Sequence, residues 1–157
     1  MARKKKHDSK LVVRGFLRGQ LVDSETGKVV GDSGWQQNKL TNDGLTNLAR
    51  LTGQQSGSYP VSYAVMGTQT AAVNMSQTAV VGGVNVFKAL NLSTSGTCTL
   101  TCTASFSSAD LAASCVVGAA GLYYTNSALF AMQTFATSNW ASNQDFNLTY
   151  QVRFATA

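Results

Sequence analysis

Side chains able to do chemistry are scarce in this chain, and the charged ones gather at one end. Arg3, Lys4, Lys5, Lys6, Lys10, Arg14 and Arg18 fall within the first 18 residues, where the only acid is Asp8, for a net +6. The remaining five basic and six acidic residues sum to −1. The sequence therefore reads as a near-neutral body carrying a basic N-terminal arm. Such a cluster can hold an acidic protein surface or a row of phosphates by charge attraction. No aromatic residue interleaves residues 1–10. Any nucleic-acid contact by the arm is therefore expected to go to phosphates and to ignore sequence.

The other reactive types do not assemble into a catalytic set. His7, the single histidine, lies in the arm. The acids Asp23, Glu25, Asp32, Asp43, Asp110 and Asp145 fall mostly at turns, caps and strand ends. Gly31-Asp32-Ser33-Gly34 has the look of a serine-protease nucleophile segment, but a triad needs a positioned histidine. Gly82-Gly83 alone makes no phosphate loop. Cys98 and Cys102, four apart on an alternating strand, would share a face roughly 13 Å apart at the usual strand rise. That is too far for a disulfide. They and Cys115 are expected to be reduced, small buried hydrophobes with no metal bound. No catalytic residue, cofactor or metal site is expected, and the protein is read as a non-enzyme.

What must position these residues is a β framework. The chain has 157 residues, 44% hydrophobic but only 12% charged, about half the usual charged share. Ser, Thr, Asn, Gln and Gly fill the gap, and a neutral polar surface is cheaper to bury against a neighbour than an ionic one. Residues 11–22 and 28–37 read as two strands, the second closing on Trp35, around the turn former Asp23-Ser24-Glu25-Thr26-Gly27-Lys28. Thr41-Asn42-Asp43 can cap a short helix at about 43–51, with Gly53 as its stop. Alternation marks strands at 61–67 and 98–106, and most clearly at 146–154, where Phe146, Leu148, Tyr150, Val152 and Phe154 alternate with polar residues. Shorter apolar strands are expected at 84–92, 115–117, 121–124 and 128–136. The sum is an all-β protein: an antiparallel sandwich or jelly-roll-like domain over 11–157, one short helix, and a flexible basic arm over 1–10. No run approaches the roughly 20 apolar residues of a membrane span. Arg14 interrupts Leu11-Val12-Val13, so no secretory signal is expected either.

Several segments, read in order, carry a likeness. They are Trp35 to Leu45 (WQQNKLTNDGL), then Leu48-Ala49-Arg50-Leu51, Tyr63 to Thr70 (YAVMGTQT), Ala119 to Tyr123 (AAGLY), Phe130 to Phe135 (FAMQTF) and Leu148 to Phe154 (LTYQVRF). This order resembles small structural virion proteins of tailed phages. In them an N-x-x-T-N-x-G segment opens a short helix, and a GTG-like turn, a GLF-like strand and a closing V-x-F strand follow. This chain has Ala119-Ala120 where those proteins often carry an acid. The resemblance implies a virion part assembled in the host cytoplasm, with other virion subunits as partners.

The expected function is thus a capsid-associated structural protein, a decoration, cement or minor capsid subunit. It would assemble by protein contacts as a closed homo-oligomer, a trimer, and dock with its basic arm on neighbours. A tail or fibre component is one alternative. A small jelly-roll capsid subunit whose arm contacts packaged nucleic acid is another. A binding module for sugar or peptide would instead expose aromatic residues such as Trp140 or Tyr59 at loop tips.

Overall fold

The computed structural model describes residues 10–82, 86–96, 98–110, 114–125 and 128–156. They form ten antiparallel strands and one α-helix: β1 (Leu11–Asp23), β2 (Val29–Asp32), β3 (Gln36–Leu40), α1 (Asn42–Thr52), β4 (Tyr63–Gly67), β5 (Lys88–Ala89), β6 (Asn91–Ser95), β7 (Thr99–Phe106), β8 (Cys115–Thr125), β9 (Ala128–Trp140) and β10 (Gln144–Thr156). The strands make one sheet in the order β5-β4-β8-β9-β3-β1-β10-β7-β6, with β2 also on β1. The fold is all-β, sandwich- to barrel-like, with the single short helix the sequence predicts.

β3 is the hinge of this sheet. Its first half pairs with β1 through Gln36, Gln37 and Asn38, and its last residues Lys39 and Leu40 pair with β9. One half of the sheet holds β6, β7, β10, β1 and β2; the other holds β5, β4, β8 and β9. The halves face each other across the main core. Leu17, Phe106, Leu148, Tyr150 and Val152 from one side meet Met66, Val117, Leu122, Phe130 and Trp140 from the other. Phe106 and Phe146 flank the Trp140 indole, whose Nε1–H donates to the Gln144 carbonyl at 2.7 Å. The sheet nearly closes on itself. β5 lies beside β7, and Lys88 Nζ meets Asp110 Oδ2 at 2.7 Å, in the 3-10 turn after β7.

The alternating segments behave as their period demands. β10 pairs with β1 along its whole length and with β7 on its other edge. Phe146, Leu148, Tyr150 and Val152 point into the core. The helix forms where the capping signal lies. Thr41 Oγ1 accepts from Gly44 N at 3.0 Å and donates to the Leu129 carbonyl on β9 at 2.5 Å. A Cβ at Gly44 would collide with the Phe130 carbonyl, so only glycine lets the helix lie this close to the sheet.

Four expectations need correction. The stretch 28–37 is two strands, because Gly34 takes φ +65 and the chain must turn before β3 can cross to β9. Residues 115–117 and 121–124 are parts of one long strand, β8. Only Lys88–Ala89 and part of β6 are strand within 84–92; residues 83–85 lie outside the described residues. Cys98 is not on a strand face. It sits before β7 with φ +54, exposed, its carbonyl accepting from Phe154 N at 3.0 Å. Cys102 is buried and Cys115 half-buried, and all three thiols are unpaired. Burial pushes the Cys102 thiol up to about 12.

Candidate interaction face

The two halves of the sheet present very different outer faces. On β8 and β9, residues that a half-buried strand would leave in water are buried. Val65, Ala119, Tyr123, Leu129 and Met132 form a second, outer core, and Val73 and Val80 from the loop 68–82 cover it. The loop is pinned rather than draped. Tyr123 Oη accepts from Val80 N at 2.8 Å, Gln69 and Gln77 exchange side-chain amide bonds, and Lys39 Nζ donates to the Val73 carbonyl at 3.0 Å. A Cβ on Gly121 would stand 2.6 Å from Val80 Cγ2, so this strand needs glycine for the loop to close. Asn47 holds the next loop in the same way, its amide bonded both ways to the Tyr59 backbone at 2.8 and 3.0 Å.

Nothing covers the other half among the described residues. Its outer face follows from strand alternation and register. β7 contributes Thr99, Thr101, Thr103 and Ser105; opposite them stand Ser95, Ser93 and Asn91 on β6 and Arg153, Gln151, Thr149 and Asn147 on β10. β1 adds Arg14, Phe16, Arg18 and Gln20. The central face is thus a field of hydroxyls and amides, and its charge lies toward β1.

The structure sorts the seven predicted basic residues. Arg3, Lys4, Lys5 and Lys6 lie outside the described residues, and Lys10 is exposed just before β1. Arg14 and Arg18 are strand residues on the outer face. Arg18 is already engaged: its guanidinium donates to both Asp32 carboxyl oxygens, at 2.5 Å from Nη2 to Oδ2. Those bonds hold the Asp32 carboxyl at about 2, with help from Gly34 N and Gln20 Nε2 against the opposing effect of burial. Arg14 is exposed and stands directly opposite Arg153 across β1 and β10. Arg153 lies over the Phe16 ring, 4.7 Å from its centroid, and donates to Gln151 Oε1. Nothing local in the sequence marks Arg153, which lies 139 positions from Arg14; only the β1–β10 register brings the two together.

Trp140 is fully buried, while Tyr59 and Trp35 are about half exposed. Among the described residues, no three His, Cys, Asp or Glu side chains gather as a metal-binding group, and no helix is long and apolar enough to cross a membrane. Neither a protein-family model, nor a curated protein, nor a solved structure matches this chain.

Proposed function

We propose that the protein is a structural subunit that works by packing against other protein subunits, and that it serves as a capsid-associated part of a virus particle. One observation carries the packing role: the uncovered hydroxyl and amide face of β6, β7 and β10. A face of Thr, Ser, Asn and Gln loses little on leaving water, because each group can exchange a water hydrogen bond for one to a neighbour. The particle reading rests on the ordered sequence motifs. Several of their residues have identifiable duties here: Thr41 caps α1, Gly44 admits the helix to β9 and Gly121 admits the loop to β8.

Self-association in a closed ring is the expected mode, since identical subunits favour closed symmetry. Sedimentation velocity over a concentration series should show a defined multimer. The double variant Thr101→Glu/Thr149→Glu should be monomeric with an unchanged melting temperature. Wild-type protein that stays monomeric at every concentration would sink the packing proposal. For the particle reading, an antibody against the chain should label particles purified from cells that produce it; particles free of the chain would remove that reading.

A further inference from the structure

We propose that the β1 end of the open face is a binding site for the phosphodiester backbone of a nucleic acid, centred on Arg14 and Arg153. Directly opposed residues on antiparallel strands project from the same face, and like charges placed so are destabilising. Arg14 and Arg153 are such a pair. They share a hollow of about 350 Å³, floored by Val12, Phe16, Ala155 and Thr156. Among the described residues no carboxylate lies within ion-pair distance of either; the two ion pairs found there are Arg18–Asp32 and Lys88–Asp110. The contrast with Arg18, four residues along the same strand face, is informative. There the fold supplies an acid, and here it leaves two cations facing each other.

Arg153 is also held in place. Its guanidinium lies over Phe16, and Nε and Nη2 donate to Gln151 Oε1 at 3.3 and 2.7 Å. Arginine has five donors, so donors remain for an anion, and a positioned planar fork suits phosphate oxygens. A second hollow adjoins on the far side of Arg153, where Thr101 and Gln151 offer neutral donors to a continuing chain. Lys10 and the basic residues Arg3 to Lys6 precede β1. Exposed Lys10 thus adds a third cation at the start of the strand that carries Arg14, which favours a polyanion over a single carboxylate. The Phe16 ring is capped by Arg153, so binding goes through phosphates and is indifferent to base sequence. The site stands or falls separately from the particle reading.

The test uses full-length protein and fluorescence anisotropy with a labelled oligothymidylate, from about 50 to about 200 mM salt. Affinity should fall linearly with salt on logarithmic axes. Arg14→Gln/Arg153→Gln should weaken binding at least tenfold at the lowest salt. It should also reduce the slope by about 1.4, because two phosphates of a single strand are no longer neutralised. Lys28→Gln, on the distant turn, should leave both unchanged. A mixed-sequence strand should bind like oligothymidylate. Arg14→Gln alone should melt no lower than wild type, because it removes a like-charge contact. The proposal is overturned if the oligonucleotide does not bind at the lowest salt. Loss on neutralising Arg3, Lys4, Lys5 and Lys6 to Gln, with none in the Arg14/Arg153 variant, overturns it too. Tighter binding of a polyglutamate of equal charge also overturns it, and would assign the hollow to an acidic protein segment.

Discussion

The two outer faces of this sheet are built from similar strands yet meet opposite fates. Over β4, β8 and β9 the sheet is apolar on both sides, and the loop 68–82 seals the outside with Val73 and Val80. Over β6, β7 and β10 the outside is Thr, Ser, Asn and Gln, with no cover among the described residues. A sheet buried on both faces is committed to the fold; an antiparallel sheet can also leave one polar face in water. The difference separates the part of the molecule that secures the structure from the part that, on the proposed function, meets partners.

The sharpest way to break this comparison is to attack what both halves share. Leu148→Asp places an unpaired charge in the common core, where Leu148 is about 1% exposed. The protein should fail to fold, read as loss of cooperative melting and of β-type circular dichroism. Next comes the covered face. Val80→Ala opens a cavity beneath the loop and should cost about 1–3 kcal/mol in chemical denaturation. Tyr123→Phe removes the acceptor of the buried Val80 N–H and should cost about 1–3 kcal/mol. Both should raise hydrogen exchange within 68–82 before exchange rises in β10. If 68–82 exchanges no faster in either variant, the loop is not what seals the outer core.

On the open face the same kind of change should matter little. Thr101→Val should shift stability by no more than about 0.5 kcal/mol, the usual range for surface sites. A shift as large as that of Val80→Ala would mean that this face, too, is buried. The smallest effect comes from acid. The Asp32 carboxyl is held at about 2 by Arg18, below its usual value near 4. Its contribution to stability is therefore complete above about pH 4 and is lost as pH falls toward 2. The pair is well exposed to solvent, so the loss is small and salt-sensitive. Asp32→Asn should flatten that part of the stability-versus-pH curve, and a curve unchanged by the substitution would show that Arg18 is not anchored there.

Where a segment's own period settles which face is wet, the sequence is readable. Residues 99–106 and 146–154 alternate strictly, and their inward and outward residues follow. The helix is readable because its cap, its acid at Asp43 and its stop at Gly53 are all local. The second core is not readable. Val73 follows two alanines and Val80 stands beside the exposed Val81, in a stretch without a clear period, and nothing near them in the chain says which surface they will cover. The alternation of Val61, Tyr63 and Val65 marks a strand, but not that both its faces are covered: Ala64 and Met66 enter the main core, and Val65 enters the outer one. Cys98 extends the alternating run by one step, but the backbone turns at that residue.

For the interaction face the division is similar. The sequence by itself placed seven cations within the first 18 residues, made the body nearly neutral and put hydroxyls on alternate positions of β7. These are properties of composition and of period two, which no tertiary contact can change. Only the tertiary structure decided which cations remain available. It set Arg18 beside Asp32 on β2 and Arg14 opposite Arg153 on β10. Both pairings depend on strand register, which the whole core fixes by choosing which residues turn inward. A one-residue slip of β10 would bury Arg153 and expose Val152, so the paired arginines exist only because the core holds its register.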